Sequence, residues 1–404
     1  MSTVPAPLGD LRVIELAHWV AGPACGGVLA DWGAEVIKVE PPGGDPMRHL
    51  FSPRAGGGAT HSPAFSAVNR AKRSVELELG DPDGRATFES LLAGADILLT
   101  NLRPGALERL DLGPEGLAAR HPRLVYCSVT AYGWEGPERD AAGYDLAGFF
   151  GRAGVSHQLT STGTAPAPFM NGLGDTFTAM SAVAGILAAL NERHRTGRGR
   201  FVEVSLLRTG MWGLAGELGM AANGGTPKPV ANRADNPTPL FNVYRAGDDR
   251  WFVLVGVEAD RHLPAVLAAA DRSDLLADER FADARAVRRH RREFIALLDA
   301  AFATRPLAEW AERFTAHDVW WGPIQSPGDV ADDPQAEAAG AWVELLGGGG
   351  RTVEAPVRFD RQRRAQVADA PQPGADTAAV LAELADRAGL AGQSGQTGQA
   401  GTPG

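Results

Sequence analysis

One carboxylate and two basic segments are the residues whose types and spacing could do chemistry in this chain. The carboxylate is Asp175, within Asn171-Gly-Leu-Gly-Asp-Thr-Phe-Thr-Ala-Met180, where two glycines precede an apolar run from Thr176 to Leu190. An aspartate that opens a helix is commonly a cap, accepting a hydrogen bond from a free backbone N–H. The same place also favours an ionised carboxylate, through the partial positive charge of the helix N-terminus, and flanking glycines leave room for close approach. The basic segments are Asn69-Arg-Ala-Lys72-Arg73-Ser74 and Asn101-Leu102-Arg103-Pro-Gly105-Ala106-Leu-Glu-Arg109. The second directly follows a predicted strand, and the carboxyl end of a strand in an open α/β sheet is where ligands bind. The backbone around Gly105 offers N–H groups, and Arg103 and Arg109 offer planar donors suited to phosphate. Together these features point to an anionic cofactor.

The elements that must position these groups read as alternating strands and helices. Strands are predicted over 11–16, 35–40, 96–100 and 124–130, with helices over 21–32, 85–93 and 114–120 between them. This alternation predicts an α/β, Rossmann-like layer over the first ~130 residues. The first turn lacks a dinucleotide fingerprint, since Gly22-Pro-Ala-Cys-Gly-Gly27 has Ala24 at the second glycine position. The helix after Asp175 is apolar nearly all round and so buried. Its end, Arg193-His-Arg-Thr-Gly-Arg-Gly-Arg200, complements the helix dipole. A strand follows over 201–207, then a Gly/Pro/Asn-rich linker over 224–236. A hairpin over 240–257 and a mostly helical stretch over 261–314 read as a small α+β domain. A last helix is expected over 377–388. The boundaries drawn are 1–223 for the first part of the large domain, 224–320 for the small one, 321–391 for the return, and 392–404 for a disordered tail.

Composition bounds the function. A chain of 404 residues exceeds what one core usually serves, and a net charge of −10 argues against a nucleic-acid partner. The two cysteines, Cys25 and Cys127, give neither a disulfide framework nor zinc spacing. No signal segment or membrane span is expected, so a cytoplasmic protein is. Motifs for serine hydrolases, zinc hydrolases and P-loop NTPases are absent from the sequence, and no metal site is expected.

Several stretches resemble family III CoA-transferases of the CaiB/BaiF type. They are Leu11-Arg-Val-Ile-Glu-Leu-Ala-His-Trp-Val-Ala-Gly-Pro23, Asp31-Trp-Gly-Ala-Glu-Val-Ile-Lys-Val-Glu-Pro-Pro-Gly43, Lys72-Arg-Ser74, Asn101-Leu-Arg-Pro-Gly-Ala-Leu107, Gly143-Tyr-Asp145, Gly174-Asp-Thr176, Arg193-His-Arg-Thr-Gly-Arg-Gly199, Asn236-Pro and Trp321-Gly-Pro-Ile. They follow the family's order over nearly the whole chain. The resemblance implies an interlocked homodimer, each chain having a Rossmann-like large domain built from both ends of the sequence and a smaller domain between. It implies acyl-CoA and carboxylic acid substrates, coenzyme A as co-substrate, and Asp175 as the nucleophile. It also implies a CoA site lined by Leu77, Asn101, Leu102, Arg103, Ala106 and Arg109, with Val20, Lys72, Arg73 and Tyr144 as further candidates.

The chain departs from the family's formyl-CoA transferases, which have glutamine at the position of Val20 and arginine at that of Pro41. Nor does a run of four glycines precede the small domain; Gly347 to Gly350 lies too late. A formyl or oxalyl substrate is therefore not expected. Two other functions compete. The racemase branch of the superfamily needs a histidine base where this chain has Tyr144, and a phenol of pKa ~10 is a poor base at neutral pH. A catalytically silent CoA-binding protein is the other.

Overall fold

The computed structural model describes residues 6–50, 62–167, 170–228 and 232–396. The chain divides into two compact units. One comprises residues 1–156, 168–225 and 338–404, the other residues 157–167 and 226–337.

In the first unit six strands form one sheet in the order β3-β2-β1-β4-β5-β6. They are β1 (Arg12–Leu16), β2 (Glu35–Glu40), β3 (Arg73–Glu76), β4 (Ile97–Thr100), β5 (Val125–Thr130) and β6 (Phe201–Ser205). Every pairing is parallel, so all six carboxyl ends lie along one edge. Strands buried on both faces read as continuous apolar runs, as Ile97-Leu-Leu-Thr100 does. Alternate residues serve opposite faces. Val13, Val36, Ile97, Leu99 and Cys127 pack under the helices Ala21–Asp31 and Leu173–Thr196. Ile14, Ile37, Leu98 and Tyr126 pack under the helices Pro82–Ala93 and Pro104–Arg109. The C-terminal helix Thr377–Gln396 returns to this second face through Val380, and it extends well beyond the expected end at 388. The expected tail over 392–404 is thus helical as far as Gln396, and 397–404 lie outside the described residues.

The strand order reverses direction between β1 and β4, which makes a crevice at their carboxyl ends. The glycines of the first helix have packing roles there. A methyl group at Gly22 would stand 2.6 Å from Ala17 Cβ, and one at Gly26 would overlap the Glu15 carboxylate. The helix Leu173–Thr196 is long and apolar enough to suggest a membrane span by those measures alone, but half of that stretch is buried. Gly347 to Gly350 make the turn between β10 (Trp342–Leu345) and β11 (Arg351–Val353) of a second, three-stranded sheet, which β12 (Gln366–Val367) completes.

The second unit is built on an antiparallel sheet of β7 (Val243–Arg245), β8 (Trp251–Leu254) and β9 (Trp321–Pro323). Pairing of β9 with β8 keeps the chain in this unit past residue 320. Its core is aromatic, with Phe252, Phe302, Trp310 and Phe314 in mutual edge and stacked contacts.

Candidate active site

Asp175 lies in the first turn of the helix Leu173–Thr196 and is half-buried. It is not the cap. The helix starts after Gly172, whose φ of 84° is a left-handed conformation that glycine adopts without strain. The capping side chain is Asp145, from the loop after β5; its Oδ2 accepts hydrogen bonds from Gly172 N at 2.8 Å and Gly174 N at 3.2 Å. Gly174 allows this approach, since a methyl there would stand 2.7 Å from Phe149 Cβ. Phe149 belongs to the π-helix Leu146–Arg152, a rare form that often marks functional sites.

This capping corrects the expected electrostatics. The helix end was expected to hold Asp175 ionised, but the N–H groups of Gly172 and Gly174 are spent on Asp145. Burial, and then the Asp145 charge, push the Asp175 carboxyl up to about 7. A carboxylate of that basicity is about half ionised at neutral pH and a stronger nucleophile than an ordinary aspartate. Sequence reasoning missed Asp145 as a site residue, although Gly143-Tyr-Asp145 was its signal.

The crevice at the β1–β4 reversal stands beside this helix. A methyl group at Gly172 would lie 3.9 Å from Val20 Cγ1. Tyr144, 59% exposed, meets Trp19 edge-on with ring centroids 5.6 Å apart. The two crevice loops are tied together, since His18 N donates to Asn101 Oδ1 at 2.9 Å and Asn101 Nδ2 donates back to His18 O at 2.6 Å. Leu77, Leu102, Arg103 and Ala106 lie just past the ends of β3 and β4, on the same edge of the sheet.

The cations divide sharply. Arg103 and Arg109 are exposed; among the described residues the Arg103 side chain donates only to the Asp140 carbonyl, and the Arg109 side chain has no hydrogen bond or ion pair. Lys72 and Arg73 are differently placed from the ligand-facing expectation. Lys72 has a fully buried side chain, and its ammonium is taken up by Glu15 at 2.7 Å, Pro23 O at 2.8 Å and Asn69 Oδ1 at 3.0 Å. Burial draws its pKa down to about 8. Arg73 pairs with Glu35 and with Glu383 of the C-terminal helix, away from the ligand edge. The Gly105 N–H proposed for a phosphate donates instead to Asp140 Oδ1 at 2.6 Å. Among the described residues, no cluster of potential metal ligands occurs.

A sequence model of CoA-transferase family III matches residues 8–377. The chain belongs to CoA-transferase family III. Among its relatives is a (R)-2-hydroxy-4-methylpentanoate CoA-transferase from Clostridioides difficile, 32% identical over 93% of this chain and 94% of that one. A cinnamoyl-CoA:phenyllactate CoA-transferase from Clostridium sporogenes is 33% identical over 92% of each. The crystal structure of a CaiB/BaiF family protein from Brucella suis matches with a TM-score of 0.84 at 31% identity, covering 94% of this family III chain and all of the other.

Proposed function

We propose that this family III enzyme moves coenzyme A between an acyl-CoA donor and a carboxylic acid acceptor, through covalent intermediates on Asp175. The observation that carries the reading is a half-buried aspartate of raised basicity beside the crevice at the strand reversal. In the first step an Asp175 oxygen attacks the donor thioester carbon. A C–O bond forms, the C–S bond breaks, and CoA thiolate leaves a mixed anhydride. The thiolate then attacks the Asp175 carbonyl carbon of that anhydride, forming an aspartyl-CoA thioester and freeing the donor acid. The acceptor carboxylate attacks this thioester, expelling CoA thiolate and forming a second mixed anhydride; the thiolate then attacks the acceptor's acyl carbon, giving the new acyl-CoA and releasing the Asp175 carboxylate. No proton need move between the four steps, so an isolated carboxylate suffices.

Coenzyme A is a polyanion whose one nucleotide carries a diphosphate and a 3′-phosphate, and exposed Arg103 and Arg109 are cations available to it at the edge of the sheet. Leu77, Leu102 and Ala106 supply apolar surface beside them, and Asn101 fixes the loop. Transfer is favoured over α-proton exchange because Tyr144, not a histidine, precedes Asp145. The reading includes a homodimer, supported by exposed Phe177, Met211, Met220 and the 81% exposed Trp212 in the same unit. Light scattering in solution tests that part. The test of the chemistry is a screen of succinyl-CoA and other acyl-CoAs against a panel of carboxylic acids. Transfer that disappears in Asp175→Ala supports the mechanism, and transfer that survives the substitution rejects it.

A further inference from the structure

Beneath the crevice loop lies a buried ionic network that the transfer steps do not use. Lys38, whose side chain is fully buried, contacts Glu15 at 3.1 Å and Asp45 at 2.9 Å. Lys72 shares Glu15 from the other side. Glu40 accepts from Arg48 and from Ser74 Oγ, and also from Asp45 N at 2.7 Å. Burial alone would favour the neutral form of Lys38. For Lys38 it is outweighed by Glu15, Asp45 and Glu40, and the pKa ends raised. Buried ion pairs of this kind contribute little net stability compared with apolar packing, so another role is worth seeking.

The network's outward contacts converge on one loop and the first turn of the helix that follows it. Lys38 Nζ donates to Ala17 O at 2.7 Å, Asp45 Oδ1 accepts from Trp19 N at 3.2 Å, and Lys72 Nζ reaches Pro23 O. Between these anchors Trp19 has a φ of 64°, the left-handed region that bulky side chains avoid. Such a conformation persists only where surrounding contacts over-determine it, and it is found most often at functional sites. Its consequence here is the placement of the indole. Trp19 packs against the buried cluster of Met47, Phe65 and Ala370 and meets Tyr144 edge-on, next to the residue that caps the Asp175 helix. Asp45 also accepts from Met47 N at 2.9 Å, so one carboxylate organises both the loop and the surface under the ring.

We propose that Asp45 is a positioning residue for CoA transfer, holding Trp19 in its left-handed conformation and so fixing the Trp19–Tyr144 pair beside the Asp175 helix. The proposal rests on the transferase reading above. It does not touch the reacting atoms, and it acts through the loop.

The test uses the full-length enzyme with succinyl-CoA and the best acceptor from the panel. Asp45→Ala is expected to lower kcat about tenfold or more, with KM for the acyl-CoA within about threefold, because misplacement near the reacting carbonyl costs rate rather than nucleotide binding. Asp45→Asn keeps an oxygen facing Trp19 N and is expected to recover most of kcat. Folded Asp45→Ala with wild-type kcat would overturn the proposal, as would equal losses in both variants. Should the Asp45 variants not fold, Trp19→Gly decides. Glycine accepts the left-handed backbone, so the variant is expected to fold and still to lose about tenfold in kcat; unchanged kcat would overturn the proposal. Hydrogen exchange of the Trp19 amide, expected to quicken in Asp45→Ala, reads the clamp without any substrate, and unchanged exchange counts against it. Absence of transfer by the wild type with every pair would reject the transferase reading itself, while the exchange result still decides the clamp.

Discussion

The raised pKa of Asp175 makes a prediction about stability. An aspartate whose ordinary value is 3.8 and whose folded value is about 7 binds its proton more tightly in the folded protein than in the unfolded chain. Stability therefore falls as pH rises between those values; the penalty is absent well below pH 3.8 and complete above about 7. A shift of about three units corresponds to about 4 kcal/mol at 1.36 kcal/mol per unit. Asp175→Asn removes the charge at nearly constant volume and so removes the penalty. The variant should then be more stable than wild type by about 4 kcal/mol at pH 8, the gap shrinking to below about 1 kcal/mol at pH 4. Urea denaturation of both proteins at pH 4, 6 and 8 and at one protein concentration measures it. A gap that does not change with pH, or a variant less stable at pH 8, would refute the reasoning that burial and Asp145 set this carboxyl's basicity.

Other expectations follow from the same geometry. The rate of transfer should rise with pH as Asp175 ionises, with a midpoint near 7, and a pH–rate profile on wild type shows whether it does. Asp145→Asn removes the neighbouring charge while keeping an acceptor for Gly172 N, so that midpoint should move to lower pH; an unmoved midpoint would leave burial as the sole cause. Lys72→Met breaks a buried pair and should cost about 3–5 kcal/mol of stability by chemical denaturation. Arg109→Ala should leave stability within about 0.5 kcal/mol and raise KM for the acyl-CoA. Gly26→Ala places a methyl on the Glu15 carboxylate and should destabilise by about 1–3 kcal/mol, again by denaturation.

Much of the fold was legible because the strands of the parallel sheet announce themselves as apolar runs at βαβ spacing. Strands β2 and β5 and the helix Pro114–Arg120 fall within a residue of expectation. Less legible were features that depend on tertiary contact. The helix Leu206–Gly213 begins inside a run that alternates like a strand, and it is started by Ser205 Oγ accepting from Arg208 N. The π-helix Leu146–Arg152 has no periodic signature. At the site, sequence placed Asp175 at a helix start but could not say whose carboxylate caps that start. Nor could it separate exposed Arg109 from Lys72, because local charge is the same for a solvated cation and one buried against Glu15. Only the three-dimensional pairing distinguishes them.

The most direct test of the central claim is chemical capture on Asp175. Wild-type enzyme incubated with succinyl-CoA, or with another donor found active in the screen, is treated with hydroxylamine or borohydride, digested and read by peptide mass spectrometry. An aspartyl anhydride or thioester yields a hydroxamate or a reduced side chain at Asp175, dependent on the acyl-CoA and absent from Asp175→Ala. An enzyme that transfers CoA while the peptide holding Asp175 stays unmodified would contradict the account.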